Sequence, residues 1–141
     1  MNYLIIYFKP YQFIYNMTTS IVLSTGIFDL LKDHIRRRKL SKYNQEKLEL
    51  ELRNARQILN KDIPANVVTV NTRVRVKELE TGAEFTHIIV PPAKARNKHN
   101  TISILSPIGV AMVGYSEGSE LKWEMSEGVK AYRIEEVTRL S

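Results

Sequence analysis

Several kinds of chemistry are excluded by what this chain lacks. It has no cysteine among its 141 residues, so disulfides, thiolate metal sites and cysteine nucleophiles are excluded. Its three histidines, His34, His87 and His99, stand alone, without a second ligand at the short spacing of a metal site. No Ser-His-Asp elbow, phosphate loop or G-x-G-x-x-G motif occurs. We therefore expect a protein that is not an enzyme, with no catalytic residues, metal or cofactor.

Long hydrophobic runs are also missing. The apolar N-terminal stretch, MNYLIIYFKPYQFIYN, is interrupted by Lys9 and Pro10, whereas a membrane helix needs about 20 apolar residues in succession. The stretch lacks the basic start and the cleavage site of a secretory signal. Its composition resembles translated AT-rich DNA, so we interpret residues 1–16 as a non-native or disordered extension and Met17 as the natural start. We expect a cytoplasmic monomer that does not contact a membrane.

The charge balance is basic, with a formal net charge of +6. The hydrophobic content of 43% and charged content of 26% are ordinary for a globular protein. A positive net charge favours an acidic partner, but this value is mild for a dedicated nucleic-acid binder.

Helical periodicity dominates residues 17–63. Apolar positions predict one helix over 27–40, capped by Ser24 or Thr25, and a second helix over 45–59. The second helix has apolar residues at steps of four, three and four, which is typical of a two-helix coiled coil: Leu48, Leu52, Ala55 and Leu59. Pro64 ends the segment. We predict an antiparallel helical hairpin that forms an arm about 20–25 Å long.

The turn of this hairpin carries a run of cations: Arg36, Arg37, Arg38, Lys39 and Lys42. Such a run can be a solvated surface, or it can attach the arm to phosphates or to an acidic protein surface. Tyr43 could add stacking to a nucleic-acid base. A second basic stretch, Lys94–Lys98, follows Pro91 and Pro92.

Strand patterns fill residues 64–141. Alternation and β-branched residues predict strands over 72–79, 84–90, 101–105, 121–125 and 129–137. A short apolar helix interrupts them. Ser106 is placed to cap this helix, Pro107 to open it and Gly114 to end it. The expected architecture is α+β, with an antiparallel sheet wrapped on one short helix.

The stretch ISILSPIGVAMVG, followed by EGSELKWEMSEGVKAYRIEEV, resembles the C-terminal domain of the Gre-type transcription elongation factors. The resemblance runs from about Val67 to Val137 and is strongest to the short-armed members, the regulator of nucleoside diphosphate kinase type. It implies an FKBP-like fold and binding to bacterial RNA polymerase near the secondary channel. It also implies that Ser106, Pro107 and Ile108 contact the polymerase. Leu105 stands where the family often has an acidic or amide residue.

The resemblance does not extend to transcript cleavage. Gre factors that stimulate cleavage carry paired acidic residues at the arm tip, which help to hold a catalytic Mg²⁺. Here Asp29 and Asp33 lie back along the first helix, and Glu46 stands beside Lys47. We therefore expect a regulator of elongation that does not stimulate cleavage.

Two alternatives stay open at this point. One is a basic nucleic-acid-binding protein that uses residues 36–42 and 94–98. The other is a peptidyl-prolyl isomerase, which needs an aromatic-lined pocket. Its candidate aromatics are scattered along the sequence: Phe85, Tyr115, Trp123 and Tyr132.

Overall fold

A computed structural model describes residues 20–96 and 99–140 of the chain. The predicted extension 1–16 and Lys98 of the second basic stretch lie outside these residues. The elements follow one another as β1 (Val22–Ser24), α1 (Thr25–Arg36), α2 (Lys42–Asn54), β2 (Arg56–Ile58), β3 (Thr72–Glu78), β4 (Glu84–Val90), β5 (Thr101–Ser103), α3 (Pro107–Met112), β6 (Glu120–Met125) and β7 (Gly128–Arg139). Within the described ranges, no helix is long and apolar enough to cross a membrane.

The first helix begins where the sequence predicts. The Ser24 hydroxyl accepts a hydrogen bond from the Ile27 amide at 3.3 Å, which confirms Ser24 as the cap. The helix ends at Arg36, earlier than the predicted Leu40. Arg38 adopts a left-handed backbone with φ of 56°, and this conformation cannot continue a right-handed helix.

The second helix is displaced from its predicted range. It is capped by Ser41, begins at Lys42 and ends at Asn54, so the prediction of a helix as far as Leu59 is wrong. Residues 56–58 instead form β2, which pairs in parallel with β1. This tertiary pairing outweighs the local helical period. Leu48 and Leu52 are buried as predicted, whereas Leu59 is 63% exposed.

The main sheet has five strands in the order β5-β4-β3-β7-β6. Three of the neighbouring pairs are antiparallel, but β5 lies parallel to β4. The prediction of an entirely antiparallel sheet is therefore wrong at this edge. The connection from β4 to β5 is a crossover, because a parallel pair requires the chain to return to the same end of the sheet. The range of β4 matches its prediction, and the other strands differ by a few residues at their ends.

One hydrophobic cluster joins the hairpin and the sheet. On the sheet side it includes Val74, Val76, Trp123 and Ile134, and the buried face of α3 adds to it. Leu31, Leu48 and Leu52 of the hairpin belong to the same cluster. The hairpin is thus packed on the sheet through a shared core. The predicted domain boundary between residues 63 and 64 stays a prediction.

Candidate functional site

Hydrogen bonds of Ser106 hold the turn between β5 and α3. The Ser106 hydroxyl accepts a hydrogen bond from the Gly109 amide at 3.2 Å and donates one to the Ser103 carbonyl at 2.7 Å. Its own amide donates to the same Ser103 carbonyl at 2.9 Å. Ser106 is therefore the predicted cap of α3, and its hydroxyl shapes the turn. Pro107 follows at the first helical position and is exposed.

Gly109 allows the turn to close tightly. A Cβ at this position would lie 2.5 Å from the Ser103 carbonyl oxygen and 2.9 Å from that of Ile104. Both are backbone atoms, which cannot move aside as a flexible side chain can. Ile108 is half-buried and packs against the core cluster, so Pro107 is the exposed apolar residue at the start of α3.

A cleft of about 450 Å³ separates this turn from the loop between α1 and α2. Its lining includes Pro107 and Leu105 from the turn and Lys39 and His34 from the hairpin. Trp123, which is almost completely buried, contributes to the lining. The structure thus brings together two features that the sequence treats separately, the Ser-Pro turn and one residue of the basic run. The other predicted contact residues, Ser106 and Ile108, do not line the cleft.

Electrostatics make the hairpin side of the cleft cationic. Burial lowers the pKa of His34, and the positive charges of Lys39 and Arg37 lower it further. His34 therefore favours its neutral form more strongly than a free histidine does. The fixed charge on this side of the cleft comes from Lys39, which is exposed.

The basic run divides into two groups. Arg36 and Arg37 both pair with Asp33, at 3.3 Å and 2.8 Å. The hydrogen bond from Arg37 is the main reason that the pKa of Asp33 is lowered. Arg38, Lys39 and Lys42 are exposed and make no ion pair within the described part of the chain. The uncompensated charge of the turn thus lies on these three residues.

Two polar anchors hold the hairpin against the sheet, and sequence reasoning missed both. The Asn44 side chain donates to the Glu124 carbonyl at 2.9 Å and accepts from the Glu124 amide at 2.8 Å. It therefore binds the edge strand β6 much as a neighbouring strand would. A signal was present in the sequence, because Asn44 lies one helical turn before Leu48 on the apolar face of α2.

The second anchor joins α2 to the segment after α3. The Glu51 carboxylate accepts hydrogen bonds from Lys47 and from the Tyr115 hydroxyl. The Lys47 ammonium also lies 5.3 Å from the centre of the Tyr115 ring and 5.9 Å from that of Trp123. Burial, reinforced by the Glu51 charge, raises the pKa of Tyr115. The spacing of Lys47 and Glu51 indicates a helical ion pair, but their contact with Tyr115 depends on tertiary structure.

The remaining candidates from the sequence do not meet at one site. Trp123 and Tyr132 are buried, and Tyr115 is held by Glu51, whereas Phe85 is 47% exposed on β4 beside His87. Lys94 and Arg96 are exposed in the crossover. Over residues 20–96 and 99–140, no cluster of three or more histidine or acidic side chains could hold a metal ion.

The architecture defines the chain as a small α+β protein in which a short helical hairpin is packed on a mixed five-stranded sheet. Residues 63–139 match the family model described as "Transcription elongation factor, GreA/GreB, C-term". Because this match covers more than half of the chain, the protein belongs to the GreA/GreB family of transcription elongation factors.

Individual relatives agree with this membership. The chain is 32% identical over 85 residues to the regulator of nucleoside diphosphate kinase of Escherichia coli, covering 60% of this chain and 62% of the relative. It is 37% identical over 92 residues to transcription elongation factor GreA of Clostridium botulinum, covering 65% of this chain and 58% of the relative. The match therefore spans about three fifths of the length of these curated relatives.

A solved structure supports the same fold over more of the chain. The prokaryotic transcription elongation factor GreA/GreB from Nitrosomonas europaea is 33% identical, with a TM-score of 0.60. The similarity covers 85% of this chain and 98% of that one. The likeness therefore includes the hairpin as well as the sheet.

Proposed function

We propose that this chain binds RNA polymerase near its secondary channel and regulates transcription elongation without stimulating transcript cleavage. The observation that carries the proposal is the Ser106-Pro107 turn, which is held by hydrogen bonds and whose Pro107 lines an open cleft in a member of the GreA/GreB family. Pro107 fixes the backbone and the Ser106 hydroxyl holds both sides of the turn. Such a surface loses little conformational entropy when it binds.

The two sides of the cleft suggest what the partner presents. Pro107 and Leu105 offer an apolar contact, while Lys39 offers an exposed positive charge. A partner surface that combines apolar side chains with a carboxylate would complement both sides. Because a charge at the rim of an interface acts mainly on recognition and association rate, Lys39 would orient this partner.

The hairpin turn supports the absence of cleavage stimulation. Residues 37–41 contain no carboxylate, and the Asp33 carboxylate just before them is paired with two arginines. Mg²⁺ is held through hard anionic oxygens that remain available to it. A short coiled-coil arm with this tip would occupy the polymerase channel without supplying ligands for the catalytic ion. The helices of 12 and 13 residues reach about 18–20 Å.

We further propose that the sheet with α3 is an FKBP-like domain that works in binding and not in isomerisation. Of the candidate aromatic residues, Trp123 and Tyr132 are buried and Phe85 is exposed on β4, so these three do not form one open aromatic wall for a proline ring. A standard assay of prolyl isomerisation on a chromogenic proline peptide should show no rate above the uncatalysed one. A rate that rises with protein concentration would contradict this proposal.

Nucleic-acid binding is the second candidate, and it is favoured by the unpaired cations of the hairpin turn. Arg38, Lys39 and Lys42 could each contact a phosphate, which would make the affinity depend on salt. Co-precipitation with bacterial core polymerase, with and without nuclease, separates the two candidates. Direct binding predicts equal recovery under both conditions, whereas binding through nucleic acid predicts loss of recovery after nuclease treatment.

A matched pair of variants tests the cleft itself. Lys39→Glu reverses a charge inside the cleft, and Lys94→Glu makes the same change on an exposed residue of the crossover. We expect Lys39→Glu to weaken polymerase binding about tenfold and Lys94→Glu to leave it within about twofold. Equal affinity for the parent and Lys39→Glu would show that the cleft is not the interface.

A further inference from the structure

A groove runs along the hairpin between α1 and α2 and adjoins the Pro107 cleft, with which it shares Leu40. It consists of two adjoining cavities, of about 450 and 660 Å³, that share Ile35, Arg36 and Glu49. Its lining includes the apolar side chains of Phe28, Ile35, Leu40 and Leu52. Pro107 and Trp123, which line the cleft of the proposed function, are not part of it.

The rim of this groove is strongly basic. Its cations outnumber its carboxylates, with Lys32, Arg36, Arg38, Lys42 and Arg53 against Glu46 and Glu49. Of the five cations, Arg36 pairs with Asp33. Lys32 and Arg53 are exposed and form no ion pair within the described part of the chain. The groove therefore combines apolar side chains with uncompensated positive charge.

The other side of α2 is already occupied. Asn44 binds the Glu124 backbone, and Glu51 binds Tyr115. Gln45, Glu49 and Arg53 follow one another at steps of four, so they form a separate stripe along the same helix. Phe28 and Ile35 of α1 are partly buried against the core, and the lining of the groove comes from α1, α2 and the loop between them.

We propose that the groove between α1 and α2 is a docking surface for an acidic amphipathic helix of a partner protein. The partner's apolar face would lie on the partly buried side chains of Phe28 and Ile35, and its carboxylates would meet Lys32 and Arg53. A helix satisfies its own backbone hydrogen bonds, whereas a docked strand needs a free sheet edge, and the groove is lined by two helices and the loop between them. The length of α1 matches about three turns of such a helix.

The same features disfavour other occupants. The Phe28 ring, the one aromatic group in the lining, already lies 5.7 Å from the Lys32 ammonium, so it is a poor stacking platform for a base. A two-fold dimer through this groove would bring two basic rims together. Charge complementarity therefore selects an acidic protein segment.

The probe is a synthetic helical peptide of about 18 residues, made of glutamate, alanine and leucine, with the leucines at helical spacing. A peptide of the same composition with scrambled leucine positions serves as its control. The full chain is titrated against each labelled peptide and fluorescence anisotropy is measured. We expect the patterned peptide to bind at least about tenfold more tightly than the scrambled one. Equal affinity for the two peptides would show that binding depends only on net charge, and this result would overturn the proposal.

Variants locate the binding surface. Lys32→Glu combined with Arg53→Glu should weaken the patterned peptide about tenfold or more, whereas Glu49→Lys should tighten it. The control pair, Arg73→Glu with Lys94→Glu, makes the same charge change on exposed residues away from the groove and should change the affinity by less than about twofold. Circular dichroism establishes that each variant is folded. An equal loss of peptide affinity in both pairs of variants would overturn the assignment of the groove as the binding surface.

Two further measurements distinguish the competing occupants. A single-stranded oligonucleotide of the same charge should compete poorly with the peptide, and strong competition would overturn the proposal in favour of nucleic acid. Sedimentation of the chain should show no self-association that is lost when Lys32 and Arg53 are changed to glutamate. Such self-association would overturn the proposal and indicate that a second copy of the chain occupies the groove. Neither Lys32 nor Arg53 lines the Pro107 cleft, so a failure here leaves the polymerase proposal intact.

Discussion

Asn44 shows at the scale of single residues how one polar side chain fixes the hairpin on the sheet. It is 4% exposed, and its side-chain amide donates one hydrogen bond to the Glu124 carbonyl and accepts one from the Glu124 amide. Asn44→Ala removes both bonds and leaves the partly buried amide and carbonyl of Glu124 without these partners. We expect a loss of about 1–3 kcal/mol in the free energy of unfolding, measured by urea denaturation. Gln45→Ala, on the neighbouring stripe of α2, should change it by less than about 0.5 kcal/mol, and equal effects would contradict this account.

Gly109 sets a steric limit on the turn. In Gly109→Ala the new Cβ would meet the Ser103 and Ile104 carbonyl oxygens at 2.5 and 2.9 Å. We expect a loss of about 1–3 kcal/mol or more, because backbone must shift to make room. Gly26→Ala in α1 is the control, since nothing lies within 4 Å of its Cβ, and its stability should be unchanged or raised by up to about 1 kcal/mol. Thermal melting of both variants tests the contrast, and similar melting shifts would contradict it.

The raised pKa of Tyr115 predicts that the stability of the fold decreases at alkaline pH. Burial and the Glu51 charge raise its pKa above the ordinary value of 10.0, so the folded state retains the phenol proton that the unfolded chain releases. The stabilisation is therefore complete below pH 10 and is lost as the pH rises above it. We expect the free energy of unfolding to fall less steeply above this pH in Tyr115→Phe than in the parent. Identical slopes for the two proteins would contradict the inferred burial of the phenol.

At the scale of elements, the sequence predicts structure well where local signals decide it. Ser24 and Ser106 are caps because their hydroxyls reach amides only three residues away, and β4 alternates between clear turn signals. Strands β1 and β2 are three residues each and pair across the hairpin, so no local period reveals them. The parallel placement of β5, the cleft shared by Pro107 and Lys39, and the contact of Glu51 with Tyr115 are likewise properties of the tertiary fold.

The turn between the two helices contains a correctable strain. Arg38 has a φ of 56°, a left-handed conformation that costs a residue with a Cβ about 1–2 kcal/mol. We expect Arg38→Gly to raise the free energy of unfolding by about 0.5–1 kcal/mol. Lys42→Gly removes the same charge from an exposed residue without an ion pair in the described part of the chain, in the first turn of α2, and should lower stability instead. Chemical denaturation measures the free energy of unfolding of both variants. A change in the same direction in the two variants would contradict the role assigned to the backbone conformation of Arg38.

For the whole molecule, the shared core means that the hairpin and the sheet act together. Leu31, Leu48 and Leu52 belong to the same cluster as the sheet residues, and Asn44 and Glu51 add polar contacts across the same junction. The Pro107 turn and the hairpin loop are therefore held in a defined arrangement in which Lys39 and Pro107 line the same cleft. The recognition proposed for this cleft would therefore depend on both parts of the chain.

Transcript cleavage in stalled elongation complexes tests the proposed function most directly. The purified chain is added alone and together with a Gre factor that stimulates cleavage, and the cleaved RNA is quantified over time. We expect no cleavage above the intrinsic rate of the polymerase when the chain is added alone, and a concentration-dependent decrease in the cleavage stimulated by the Gre factor. Lys39→Glu should weaken that decrease, while Lys94→Glu should retain it. Stimulation of cleavage by the chain itself, or no effect on the Gre factor at saturating concentration, would contradict the account.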